Sequence, residues 1–270
     1  MARSRFLGLA QRALSSFGIN LSRSDFFAMS SIKEIQDFYD SCVPKSWGHE
    51  LLRIGGDHDG GYVVPNDLNG ITYCLSPGCN LLSKFERHLF QDFNIPSQIC
   101  DLPEYLPDQA TPGLEFIPKL LGLPDSDFLT LEQWIKQVQK KDSDELILQM
   151  DIEGAEYEIL KQASPTLLQT FRVIVMEFHF LDLLKYKYFS EKEIVPVFEK
   201  LLEYFDVVNV NANNACGYWF FGLNKFPPII EVTFHRKDRR KIQSPELWQS
   251  GLNQANVPAL KEVLMPWQLS

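Results

Sequence analysis

Leu146-Ile147-Leu148-Gln149-Met150-Asp151-Ile152-Glu153-Gly154-Ala155-Glu156 is the stretch that decides the fold. An apolar run of strand length empties into three carboxylates around one glycine, and a helical pattern follows from Ala155 to Ala163. That is strand, acidic turn, helix. Along extended backbone Asp151 and Glu153 share a face, while Glu156 falls at the start of the helix, where the helix dipole favours a carboxylate. Capping alone accounts for one acid, not three.

Working outward, the same alternation recurs on both sides. Ile71 to Leu75 reads as a strand, broken at Ser76-Pro77-Gly78 and followed by a helical stripe of Phe85, Leu89, Phe90 and Phe93. Ser97 to Cys100 and Leu114 to Ile117 read as short strands. Thr130 with Gln133 spells a capping box for a helix through Leu131, Trp134, Ile135 and Val138. Val173 to Phe178 is a nearly continuous β run, and Ser190 with Glu193 is expected to cap a helix through Ile194, Val197, Phe198 and Leu201. Phe205 to Val210, Tyr218 to Leu223 and Ile229 to Phe234 leave no room for helices between them and should meander. Upstream, Ile32, Ile35, Phe38, Tyr39 and Cys42 mark a helix that stops before Pro44, and Leu51 to Ile54 and Tyr62 to Val64 flank a glycine-rich loop. The expectation is an α/β fold built on a doubly wound, mostly parallel sheet with an antiparallel edge strand.

Length and charge bound the rest. The 270 residues suit one core; 45% hydrophobic and 13% aromatic residues argue against disorder. A net charge of −9 disfavours a phosphate-backbone partner, so no nucleic acid is expected. The only charged residues before Asp25 are Arg3, Arg5, Arg12 and Arg23, so the remainder is more acidic than the whole. Residues 1–30 read as a basic extension or helix with Phe6, Leu9, Ala10, Ala13, Leu14 and Phe17 on one stripe; an organellar targeting segment and a helix lying on a membrane are the competing readings. No stretch approaches the ~18 apolar residues of a transmembrane segment. Five widely spaced cysteines with no C-x-x-C pair argue for thiols in a reducing compartment, and a cytoplasmic location is expected. Residues 31–240 form the main domain, and residues 241–270 are expected to be a helical tail packed on it.

In an open α/β sheet, ligands bind outside the carboxyl ends of the strands. Those positions hold Ser76-Pro77-Gly78-Cys79-Asn80, Cys100-Asp101, Asp151 to Glu156, and Glu177-Phe178-His179. The first turn lacks G-x-G-x-x-G, which disfavours a dinucleotide, whereas Asp101 is placed to accept from ribose hydroxyls. Gly78 and Asn80 read equally well as plain turn residues, as do Asn213 and Asn214. The Asp57-His58-Asp59-Gly60-Gly61 loop is either a hairpin turn or a rim contact.

Leu148 to Glu156 closely resembles the signature of FkbM-type S-adenosylmethionine-dependent methyltransferases, apolar-x-apolar-Asp-x-Glu-Gly-x-Glu. Arg53-Ile54-Gly55 with Asp59-Gly60-Gly61-Tyr62-Val63, Ser83-Lys84-Phe85-Glu86, Met176-Glu177-Phe178-His179, and Asn211-Ala212-Asn213-Asn214 with Glu231-Val232-Thr233 resemble other segments of that family in the expected order. At residues 76–80 the family's glycine-bearing loop is replaced by Ser-Pro-Gly-Cys-Asn. The resemblance implies a class I, Rossmann-like methyltransferase fold with seven strands, S-adenosylmethionine as donor and a hydroxyl oxygen as acceptor, on a sugar or other small natural product or glycan. It implies cofactor contacts from Gly78, Asn80, Glu86, Asp101, Asp151 and Glu153, with Glu86 or Asp101 on the ribose. His179, Asp151 and Glu177 are the catalytic candidates, with His179 as general base because its ordinary pKa lies near neutrality, or as a structural hydrogen-bonding residue. The same three would hold Mg²⁺ if the reaction uses a metal to acidify the acceptor hydroxyl. Two other classes stay open: a metal-dependent phosphoesterase using Asp151, Glu153 and Glu156, and a non-catalytic binding module that keeps the fold.

Overall fold

Eight consecutive residues, Phe171 to Phe178, are all buried, the signature of a strand covered on both faces. The computed structural model describes residues 28–78, 82–103, 111–124, 127–141, 144–247 and 251–269. In chain order the elements are α1 (Ile32–Ser41), β1 (Lys45–Ser46), β2 (Leu51–Ile54), β3 (Tyr62–Pro65), β4 (Ile71–Pro77), α2 (Lys84–Phe93), β5 (Ser97–Cys100), β6 (Leu114–Ile117) and α3 (Leu131–Val138). They continue with β7 (Glu145–Met150), α4 (Glu156–Gln162), α5 (Pro165–Leu168), β8 (Phe171–Phe178), α6 (Val195–Tyr204), β9 (Phe205–Ala212), β10 (Trp219–Phe221), β11 (Asn224–Phe226), β12 (Ile230–Arg236) and β13 (Glu246–Leu247).

Seven strands form one sheet in the order β6-β5-β4-β7-β8-β12-β9. The pairs from β6 through β8 are parallel, and β12 runs antiparallel to both β8 and β9. The doubly wound, mostly parallel α/β sheet is as expected, with the antiparallel strand one place in from the edge. The edge is β9. The expected meander is corrected as well: residues 218–223 do not enter the sheet but start a separate hairpin, β10 with β11, between β9 and its partner β12.

Alternation along the central strands sends side chains into two layers. Leu146, Leu148, Met150, Ile174, Met176 and Phe178 pack with α1, α3, α4 and α6 through Phe38, Tyr39, Trp134, Leu160 and Phe198. Ile147, Val173 and Val175 face the other way, onto Phe85 and Leu89 of α2 and onto Ile54, Tyr62 and Val64 of the β2–β3 hairpin. One face is thus closed by helices and the other by one helix and a hairpin, pinned by the Thr233 hydroxyl donating to the Val63 carbonyl at 2.6 Å.

The Thr130–Gln133 capping box expected at α3 is formed, whereas the one expected from Ser190 and Glu193 before α6 is not. There Ser190 caps nothing: Ser190–Ile194 is a π-helical stretch running directly into α6. The tail differs from the expected short helices. Among the described residues it consists of β13 paired with β1, an irregular strap from Leu252 to Met265, and a 3₁₀ turn at Pro266–Gln268. Asn253, Gln254 and Asn256 tie that strap to Val210, Asp57 and Glu231. The expected basic helix of residues 1–30 lies outside the described residues up to position 27. No helix among the described residues is long and apolar enough to cross a membrane.

Candidate active site at the carboxyl ends of the strands

Strand order reverses between β4 and β7, and the crevice of a doubly wound sheet opens at such a point. The loops leaving these strands touch. Gly78 has φ +74°, and a Cβ there would sit 1.7 Å from the Asp151 carbonyl oxygen, so only glycine fits. The Asp151 N–H donates to the Pro77 carbonyl at 3.3 Å, and the Gly78 N–H to the Cys100 carbonyl at 3.2 Å. Three strand ends are thereby laced into one floor.

Over that floor lies a cleft of about 850 Å³. Gly78, Glu86, Asp101, Asp151 and Glu153 all line it, which brings together every expected cofactor residue except Asn80, a position outside the described residues. Leu82, Leu120, Leu121 and Phe128 form apolar walls, and Asp59 with Gly60 forms part of the rim, so the glycine-rich loop is both a turn and a cleft contact. Arg53 holds that loop by donating to the Gly56 and His58 carbonyls, each at 2.8 Å.

A buried polar chain runs beneath. The Ser76 hydroxyl lies 2.5 Å from Glu86 Oε1 and 2.6 Å from Gln149 Oε1, and Gln149 Nε2 donates to the Tyr62 hydroxyl at 3.2 Å. A hydroxyl carries one proton, so if Ser76 donates to Gln149 the other contact takes its proton from Glu86. Burial raises the Glu86 carboxyl, which suits that role. Tyr62 and Gln149 had no distinguishing sequence signal; their contact spans 87 positions.

Beside the cleft, joined to it through Asp151 and Glu153, sits His179. It is 4% exposed, follows β8, and has different neighbours on its two nitrogens. Nδ1 lies 3.2 Å from Oε1 of the fully buried Glu156. The same oxygen accepts the N–H groups of Ile152 at 3.0 Å and Gly154 at 3.2 Å, bracketing a turn in which Glu153 has φ +56° and Gly154 φ +105°. Nε2 faces Asp151 Oδ1 and Glu177 Oε1, each at 3.7 Å, and Glu153 Oε2 at 3.6 Å. Glu156 is thus not a third free acid of the motif; it fixes the ring.

The electrostatics follow from burial. Desolvation pushes the Asp151 carboxyl up to about 7, opposed by His179 and reinforced by Glu153 and Glu156. Glu177 is raised well above the ordinary carboxylate range by burial and by Asp151 and Glu231, although Asn213 Nδ2 donates to it at 2.7 Å. Burial alone would lower His179, but Glu156, Asp151 and Glu153 outweigh it and the imidazole titrates above its usual value. Asn213 also accepts the Ala215 N–H through Oδ1, so its turn chemistry and its site contact are both real.

Residues 126–220 match the family model described as Methyltransferase FkbM domain, a span that includes Asp151, Glu156, Glu177, His179 and Asn213. No curated protein matches the chain. Among solved structures it is similar to TrmK of M. capricolum in complex with S-adenosyl-homocysteine, at 8% identity and TM-score 0.36 over 63% of this chain and 64% of that one. It is also similar to a fibrillarin/Nop5p complex, at 15% and 0.36 over 63% and 74%, and to precorrin-6y C5,15-methyltransferase from Geobacter metallireducens GS-15, at 11% and 0.36 over 81% and 98%. The chain therefore spans a little under two thirds of the length of TrmK. The strand order is that of the class I methyltransferase fold, and residues 126–220, about a third of the chain, match the model of the FkbM methyltransferase domain.

Proposed function

We propose that this chain transfers a methyl group from S-adenosylmethionine to a hydroxyl of a sugar or other small natural product, in the cytoplasm. The observation that carries the reading is the abutment of two differently built sites at Asp151: an open cleft lined by acids, and an imidazole held by a buried carboxylate. The cleft fits the donor. Gly78 lets the ends of β4 and β7 close into one floor for the donor, and Asp101 and Glu86, which line the cleft, offer carboxyl oxygens to ribose hydroxyls. When bound, the donor supplies an electrophilic methyl on a cationic sulfur, beside which ionised Asp151 is favourable.

The chain's own residues then have two tasks. Asp151 and Glu153 border both sites and orient the acceptor against the cleft. His179, with its Nδ1–H directed at Glu156, keeps the Nε2 lone pair toward the acceptor and takes the hydroxyl proton as the oxygen–carbon bond forms. The test is turnover of S-adenosylmethionine with sugar and polyketide hydroxyl panels, scored by S-adenosylhomocysteine release. His179→Ala should lower kcat by ~10²–10⁴ with donor affinity kept; unchanged kcat would remove His179 as base.

A second reading of the same cluster is favoured by one atom. Asp151 Oδ1 is buried without a hydrogen-bond partner, and it stands with Glu177 and His179 in a group whose ligand atoms lie within 4.8 Å of one another. Those residues would hold Mg²⁺ or, given the imidazole, a borderline ion such as Mn²⁺, which would acidify the acceptor hydroxyl. Loss of turnover in EDTA with rescue by the ion supports it; full turnover of stripped protein removes it. The phosphoesterase reading loses its third acid, because Glu156 is committed to two backbone N–H groups and His179.

A further inference from the structure

Asp57 and Gln254 stand 197 positions apart and hydrogen-bond to each other. Gln254, on the irregular strap after β13, uses both ends of its amide on adjacent residues: Nε2 donates to Asp57 Oδ1 at 3.0 Å, and Oε1 accepts the His58 N–H at 3.1 Å. One side chain thus grips the glycine-rich loop across a single peptide. His58 adds a third tie, its Nδ1 lying 3.1 Å from the Ala255 carbonyl, where a protonated ring nitrogen donates. The backbone at His58 needs such support, because φ +63° is left-handed and disfavoured for a residue with a Cβ.

The strap has its own anchors on β9 and β12. Asn253 Nδ2 donates to the Val210 carbonyl at 2.7 Å, Asn211 Nδ2 to the Gln254 carbonyl at 3.0 Å, and Asn256 Nδ2 to Glu231 Oε1 at 2.5 Å. Arg53 joins the same assembly from below, donating through Nη1 to the Leu252 carbonyl at 3.3 Å while its other nitrogens hold Gly56 and His58. Arg53 fixes the loop to its own hairpin; the strap fixes it to the main sheet, on which the cleft is built. What the loop carries gives that link its consequence. Asp59 and Gly60, the two residues after His58, line the cleft. The Asp59 carboxylate also helps to raise the Asp151, Glu177 and Glu231 carboxyls, so its charge reaches the cleft and the His179 cluster alike.

We infer that Gln254 is a positioning residue for the donor: it holds Asp59 and Gly60 at the cleft rim, so that the rim is formed before S-adenosylmethionine arrives. The inference rests on the donor reading of the cleft. Gln254 does not line the cleft itself and acts through the loop. Once its amide is removed, the loop populates positions off the rim, and donor affinity falls with the fraction of molecules that keep the loop in place.

The test is calorimetric titration of the full chain with S-adenosylmethionine, with the melting temperature and amide hydrogen exchange measured alongside. Gln254→Ala should raise Kd about tenfold through the loss of two hydrogen bonds, speed exchange at the His58 amide, and leave the melting temperature unchanged. Exchanging the partners separates positioning from loss of bulk. Asp57→Asn alone keeps an acceptor for Gln254 Nε2 and should bind as the parent does. Gln254→Glu alone sets two carboxylates against each other and should weaken binding as Gln254→Ala does. Combined with Asp57→Asn, it swaps donor and acceptor across the contact and should restore the parent Kd. With a parent that binds the donor, three results overturn the inference: equal binding by Gln254→Ala, a combined variant no better than Gln254→Glu alone, or a melting temperature that falls together with affinity. A parent that binds no donor overturns the donor reading itself, and the inference with it.

Discussion

Glu156 has no exposure to solvent, yet it controls the most polar part of the molecule. Its Oε1 gathers the Ile152 and Gly154 N–H groups and His179 Nδ1, so one carboxylate sets the turn and the tautomer together. Glutamine at this position keeps an acceptor for the two amides and removes the charge. The protonated imidazole then loses a partner, so its pKa falls. As the proposed base, His179 must be neutral to act, and its titration lies above the ordinary histidine value, so the acid limb of kcat/KM is expected above pH ~6.5 in the parent and at lower pH in Glu156→Gln. An unmoved limb would detach Glu156 from the base. Gly78 gives a second prediction at this scale. Alanine there must move the Asp151 carbonyl, so Gly78→Ala should weaken S-adenosylmethionine binding more than tenfold by calorimetry and cost roughly 2 kcal/mol in urea unfolding.

At the scale of elements, α3 is the cleanest case of local instruction. Thr130 accepts the Gln133 N–H at 3.2 Å while Gln133 Oε1 accepts the Thr130 N–H at 3.1 Å. Thr130→Ala should cost ~1 kcal/mol in urea unfolding and leave donor affinity unchanged, because α3 packs under the sheet, not at its Asp151 edge. The parallel strands were legible for a similarly local reason: burial on both faces turns β7 and β8 into continuous apolar runs. What periodicity reports is a segment's own faces, never its partner. Hence the pattern of β12 marks a strand without marking its place between β8 and β9, and the pattern of β10 does not reveal that it pairs with β11 outside the main sheet. The site divides along the same line. Gly78, Asp101, Asp151 and His179 lie directly after strands, where topology alone sends attention; Tyr62, Gln149, Glu231 and Asn256 reach the site through contacts 25 to 87 positions long.

For the whole molecule, the two ends of the sheet carry opposite electrostatic designs. Where β7 and β8 begin, acids are matched: Asp67 accepts from Arg239 at 2.8 and 2.9 Å and from His235 at 3.0 Å, while Glu145 pairs with Arg172 and Arg236. These arginine and histidine contacts overcome burial and hold both carboxyls below their ordinary range, so their stabilisation is present above pH ~4 and is lost on acidification below it. At the other end Asp151, Glu177, Glu231 and Glu86 are raised by burial. The folded chain there holds protons that the unfolded chain has released, so stability falls as pH climbs from ~4 through the Asp151 value of about 7. Raised His179 acts in the same direction, its stabilisation being complete below pH ~6.5 and lost as pH rises through its folded value. Without ligand, the melting temperature should therefore peak near pH ~5 and decline toward pH 8. Asp151→Asn should flatten that decline and melt higher than the parent at pH 8 while losing turnover.

A cationic ligand beside Asp151 reverses the cost. S-adenosylmethionine carries a positive sulfur where S-adenosylhomocysteine carries a neutral one, and the carboxyl that would face it ionises around pH 7. Measured as thermal shifts at matched saturation, the advantage of the sulfonium over the thioether should grow between pH 5.5 and pH 8, and Asp151→Asn should abolish the growth while leaving both ligands bound. An advantage that stays constant across that range in the parent would separate Asp151 from the reacting sulfur and leave it to the acceptor.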